Sequence, residues 1–123
     1  MSTLETNSFD NLIAGDSKII TDRETLLSGQ ILERGALLGK ISASGSDQGK
    51  LKQCDSTNSD GSETPYAILM EDTDASGGDE HIDVYKGGTF NEDAIGLATG
   101  DSIDDFKDAL RSVGIICVKT QEA

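Results

Sequence analysis

The chain has no tryptophan, one proline, one histidine, two cysteines and, among its 123 residues, only three phenylalanines and two tyrosines. Aromatic side chains remove the most surface from water, roughly 150 to 250 Å² each, so a core with so few of them must be small and mainly aliphatic. Leu, Ile, Val and Phe together number 28 residues, or 23%, just above the roughly 20% below which chains tend to disorder. A core this thin calls for a partner or an oligomer. The single histidine, His81, has no nucleophile beside it in a recognised pattern, and there is no G-x-S-x-G, phosphate loop, H-E-x-x-H or dinucleotide fingerprint. No catalytic residue, cofactor or metal site is expected, and His81 reads as a surface strand residue. Cys54 and Cys117 are too few for a disulfide scaffold or a four-cysteine zinc site and read as free thiols. No run approaches the roughly 20 apolar residues of a spanning helix, and the N-terminus has neither a basic nor a continuous apolar signal region. The chain is therefore expected to be soluble and not exported, with no membrane partner.

Basic charge is also scarce: ten Lys and Arg stand against 23 Asp and Glu, a net charge of −13. Such a chain repels phosphate backbones, which excludes nucleic acid as a direct ligand. The imbalance is concentrated. Residues 54–83 carry nine acids and no Lys or Arg, whereas 1–53 and 84–123 are close to balanced. A one-sided acidic surface repels its own copies unless it faces outward.

What is present suits one domain of mainly β structure. Residues 1–28 mix Ser, Thr, Asn and Asp with apolar residues of no sustained period, among them Phe9, Leu12, Ile13, Ile19 and Ile20. The most strand-like piece is Lys18-Ile19-Ile20-Thr21, too short to stand alone. Two readings stay open for it, an ordinary first strand or part of an extended arm that orders on a partner. From Gly29 onward, recurrent glycines separate short apolar pieces, which predicts short strands and tight turns. Residues 53–64 hold no apolar side chain except Cys54 and read as a surface loop ending at Pro65. Tyr66–Met70 is an uncharged run of buried-strand length, and His81–Tyr85 alternates with period two; the two are expected to pair as a hairpin. Gly87-Gly88 turns the chain into Thr89-Phe90-Asn91, with Phe90 placed to plug the core.

The spacing of Ile103, Phe106, Leu110 and Val113 predicts one amphipathic helix over 101–114, stopped by Gly114. Ile115–Val118 then reads as a closing strand. Asp104 and Asp105 fall on the wet side of that helix. Asp72-Thr73-Asp74-Ala75-Ser76-Gly77, with Asp83 at position twelve, has the oxygen spacing of a calcium loop. Position twelve lacks the bidentate Glu and the flanks read as strands, so a plain acidic turn is the expectation.

Three pieces in order carry a resemblance: Tyr66-Ala67-Ile68-Leu69, then Val84-Tyr85-Lys86-Gly87-Gly88-Thr89-Phe90-Asn91-Glu92-Asp93, then Gly114-Ile115-Ile116-Cys117-Val118. Over roughly residues 29 to 120 the sequence resembles the head decoration protein family of tailed bacteriophages. The resemblance implies a small α+β, β-tulip-like domain over 29–123 with one short helix, preceded by a flexible arm over 1–28. It further implies a homotrimer that covers three-fold positions on the outer surface of the expanded virion shell, made in the host cytoplasm, with the arm reaching the major capsid protein. Phe9, Leu12, Ile13, Lys18, Ile19, Ile20 and Thr21 are then the expected capsid-binding residues. The alternatives are a calcium-dependent binding module and a small acidic protein that inhibits or regulates a basic partner.

Overall fold

The structure, a computed structural model, describes Ile13 and residues 19–118. Five strands make a small closed sheet. They are β1 (Ile20–Leu26), β3 (Leu37–Lys40), β4 (Leu51–Gln53), β5 (Pro65–Leu69) and the long β7 (Glu80–Asn91), preceded in chain order by the short β2 (Ile31–Leu32) and β6 (Thr73–Asp74) at their places. β1 lies antiparallel to β7 from Ile20↔Gly87 to Leu26↔Glu80, β7 to β5, β5 to β3 and β3 to β4. β4 returns to β1 in parallel at Leu26↔Leu51, which closes the ring. β8 (Ile115–Val118) extends the far end of β7 in parallel, and β2 pairs with β6 in a separate two-stranded ribbon.

Period-two alternation divides the apolar residues between two cores. Leu26, Leu38, Leu51, Ala67, Leu69, Ile82 and Val84, contributed by all five ring strands, pack together with Ala36 and Ala75. The intervening residues Leu37, Ile68 and Tyr85 face a second cluster with Cys54, Phe90, Ile95, Phe106, Leu110 and Ile115. β3 and β5 are thus buried on both faces, which is why Tyr66–Met70 carries no charge. The expected antiparallel pairing of the two runs is present, and Phe90 is fully buried as expected.

β7 passes from one core to the other through Gly87-Gly88. A Cβ on Gly87 would lie 3.0 Å from Ile20 Cδ1, and Gly88, at φ 137°, would place one 3.2 Å from the Phe90 ring. The pair lets β1 and Phe90 approach β7 more closely than side chains permit.

Two expectations change. β1 lies within the ring, so residues 20–26 take the reading of an ordinary first strand. The helix is shorter than 101–114. A 3-10 turn over Ile103–Asp105, with Ser102 Oγ accepting the Asp104 N–H at 3.3 Å, leads through Phe106 into α1 (Lys107–Ser112). Phe106 sits at φ −113°, ψ −7° between the two pieces, so the periodic stretch is helical in two segments. Phe106 and Leu110 are buried as expected, but Val113 is 40% exposed, because α1 ends one residue before it and Gly114 turns away at φ 96°. The 53–64 loop is at the surface as a whole, yet Cys54 and Ser62 are fully buried.

Candidate functional site

Four large aliphatic side chains are exposed among the described residues: Ile31 on β2, Val113 after α1, and Ile19 and Ile20 where the N-terminal segment meets the barrel. Ile19 and Ile20 are 40% and 51% exposed, while Ile13 forms an antiparallel bridge to Phe90 and packs against the second core. Phe9, Leu12 and Lys18 lie outside the described residues. Thr21 is exposed on β1, paired with Tyr85. The structure therefore places Ile13 against the domain's own core and leaves Ile19, Ile20 and Thr21 at its surface. Among the described residues β1 meets β4 only at Leu26↔Leu51, so the flank of Ile20–Thr25 away from β7 carries no neighbouring strand. Such a flank presents backbone N–H and C=O groups to whatever approaches.

A polar row holds this strand on the barrel. The Tyr66 hydroxyl donates to Glu24 Oε2 at 2.8 Å and accepts from Lys86 Nζ at 2.8 Å and Lys40 Nζ at 3.3 Å. Both ammonium groups also lie over the Tyr66 ring, 4.7 and 4.8 Å from its centre. The row runs β1, β7, β5, β3, with Asp22 adding a 3.5 Å contact to Lys86. The Tyr66 hydroxyl is the main reason Lys86 is held above the ordinary lysine range. The Arg23 backbone N–H, followed by Lys86, holds Asp22 below the ordinary carboxylate value. Sequence reading missed this cluster. Its members come from four strands and share no local pattern; the only signal is that Lys40, Tyr66 and Lys86 each stand between buried neighbours, and Glu24 has not even that.

The acidic block is less one-sided in space than in sequence. Asp60 pairs with Lys52 at 3.3 Å, Asp79 with Lys50 at 2.7 Å and Asp83 with Arg23 at 3.0 Å, so bases from the balanced N-terminal half meet acids of the 54–83 stretch.

The remaining sequence candidates do not assemble. Asp72 Oδ1 accepts the Arg34 N–H at 2.8 Å, a contact to the turn just after β2, and Asp74 Oδ1 accepts the Ser76 N–H at 2.9 Å within its own turn. No group of three or more His, Cys, Asp or Glu able to hold a metal ion occurs among the described residues. His81 is exposed, with Nδ1 3.4 Å from Thr25 Oγ1. Burial pushes the Cys54 thiol up to about 12 and raises that of Cys117. Both cysteines are free, and thiols so reluctant to ionise are poor nucleophiles. Asp104 is 80% exposed and 3.7 Å from Lys107.

Fold and surface together define a small β-barrel whose exposed strand flank and aliphatic side chains suit attachment to another protein. The family model for bacteriophage lambda head decoration protein D matches residues 2–114, and the chain belongs to that family. It is a structural family of the phage head, which makes this a capsid-binding protein of the virion. A search of curated proteins gives no match.

Proposed function

We propose that the protein cements the expanded head as a homotrimer at three-fold positions on the outer surface, and that its N-terminal segment anchors it to the major capsid protein. In this reading the protein is made in the host cytoplasm and consists of an arm ahead of β1 and the barrel domain behind it. The observation that carries the reading is the flank of Ile20–Thr25, which carries no neighbouring strand among the described residues, beside exposed Ile19 and Ile20 and following in sequence a polar segment containing Phe9, Leu12 and Lys18. An extended peptide that adds to a strand flank gains affinity from main-chain hydrogen bonds and register from alternate side chains. β1 already uses one flank for β7, so the other can join the domain's sheet to a second protein. Added interfaces between shell subunits then favour the expanded, DNA-filled state by mass action, since what binds one state stabilises it.

The test is decoration of expanded empty capsids, measured by sedimentation and by reconstruction. Loss of binding on deleting residues 2–12 or on Ile20→Ser, with the barrel still folded, supports the arm as anchor. Undiminished decoration would assign anchoring to another face of the domain.

A further inference from the structure

Asp60 is followed by Gly61 in a surface loop, both residues half-buried, and this is the dipeptide in which an aspartate most readily isomerises. The glycine N, unhindered by a side chain, attacks Asp60 Cγ, and one carboxyl oxygen leaves as water with the carboxyl proton and the Gly61 N–H proton. The resulting succinimide then takes up water. Opening at Cγ restores aspartate; opening at the main-chain carbonyl gives the β-linked isomer, which carries an extra methylene in the backbone.

The fold forbids removing this liability by replacing the glycine. Gly61 adopts φ 105°, and a Cβ there would lie 2.2 Å from Ser42 Oγ and 2.7 Å from Ser42 N. A backbone lengthened at Asp60 would also disturb two neighbours. The Asp60 carbonyl accepts the Ser42 and Ala43 N–H groups at 2.8 and 3.0 Å, and the Ser62 backbone lies against Gly39, where a Cβ would come within 2.1 Å of the Ser62 carbonyl oxygen. Isomerisation would therefore break the seat of β3.

Both reacting groups are occupied instead. The Gly61 N–H donates to Glu63 Oε1 at 2.9 Å. Asp60 Oδ1 accepts from Ser62 N at 3.1 Å and from Ser62 Oγ at 2.5 Å, and Oδ2 accepts from Lys52 Nζ at 3.3 Å. Ser62 is fully buried and its hydroxyl is fixed on the other side by Asn58 Nδ2 at 2.8 Å. The carboxylate is thus clamped in its ionised form, which is a poor electrophile because neither oxygen can leave as water. Its ionisation lies at about 2, which thins the reactive neutral acid further.

We propose that Ser62, Lys52 and Glu63 form a chemical lock that keeps the Asp60–Gly61 bond from cyclising, so that resistance to ageing is built into the 54–64 loop. A shell protein is not replaced once the particle is assembled, and such a lock preserves the barrel for the particle's lifetime.

The test is incubation of the purified full chain for weeks at neutral pH, beside a synthetic peptide spanning residues 56–65. The isomer at position 60 is measured by peptide mapping and by enzymatic methylation of isoaspartate. The lock predicts a rate at least about tenfold below that of the peptide, as expected if the neutral acid is depleted about tenfold or more. Glu63→Ala, Lys52→Met and Ser62→Ala should each isomerise several-fold faster than the parent. Melting curves show which variants keep the native fold, and the comparison uses those; Glu63 and Lys52 are only half-buried, so their variants remain usable if Ser62→Ala unfolds. A parent rate equal to that of the peptide overturns the proposal, as do folded variants that age no faster than the parent. A slower Glu63→Ala would make Glu63 a base that draws the Gly61 proton, which also overturns it.

Discussion

Single residues divide sharply between those that the packing fixes and those that it leaves free. Phe106 is buried against the second core and Asp105 is exposed on the adjoining 3-10 turn. Phe106→Ala should cost about 3 to 5 kcal/mol and Asp105→Ala no more than about 0.5 kcal/mol, read from denaturant unfolding; equal effects would contradict the register of the turn. Glycines divide in the same way. Gly39 has the Ser62 carbonyl where its Cβ would stand, whereas Gly29 has nothing within 4 Å and only its φ of 92° to satisfy. Gly39→Ala should cost about 3 kcal/mol or more through forced movement of backbone, and Gly29→Ala about 1 kcal/mol through left-handed strain. Melting both variants checks the ranking. Asp60 gives a pH prediction. Ser62, through its hydroxyl and its N–H, and then Lys52 hold the carboxyl at about 2 against an ordinary 3.8. A carboxylate depressed in the folded state contributes its stability above the unfolded value and loses it as pH falls. The contribution of Asp60 is therefore complete above about 4 and fades between about 4 and about 2. Melting temperature measured across that window should fall less steeply in Asp60→Asn than in the parent.

At the scale of elements, the sequence reads well where one period persists over a whole element. The uncharged run at 66–70, the alternation at 81–85 and the apolar closing strand at 115–118 all emerge as strands, because in each the side-chain pattern directly reports burial. It reads poorly at ends and crossings. Nothing local distinguishes β1 from an arm: Ile20, Asp22 and Glu24 alternate with Thr21, Arg23 and Thr25 in a strand that is mostly exposed, and its partner lies some sixty residues away. The helix is overdrawn because the three- and four-residue spacing of Ile103, Phe106 and Leu110 satisfies a 3-10 turn followed by an α-helix as well as one continuous helix. The Lys40, Tyr66, Lys86 and Glu24 row exists only once four strands are side by side. These elements also fix the design of a truncation. Ile13 packs on the core and Ile20 and Thr21 pair with β7, so a cut through residue 21 would damage the barrel, whereas one through residue 12 spares every described contact. Deleting residues 2–12 should leave the melting temperature nearly unchanged while weakening capsid binding. Ile20→Ser, at a half-exposed position, should change stability by less than about 1 kcal/mol and weaken the same binding.

At the scale of the whole molecule, a net charge of −13 opposes self-association in dilute solution, while the partial pairing of the acidic stretch by Arg23, Lys50 and Lys52 softens that repulsion. The proposed trimer should therefore form on the shell more readily than in free solution, and its formation in solution should strengthen with added salt. Light scattering across a salt series and the symmetry of density on decorated capsids are the measurements; density confined to two-fold axes would refute the trimer. Ring closure has a further effect, on the time course of folding. Every pairing of β1 with β7 joins residues more than fifty positions apart, so the ring cannot close until most of the polypeptide has been made. Chains whose contacts are this non-local acquire structure slowly, on a scale of about milliseconds to seconds. A nascent chain ending before Glu80 has strands but no barrel for them to complete, so the protein gains its shape as a late, concerted event and reaches the shell as a finished part.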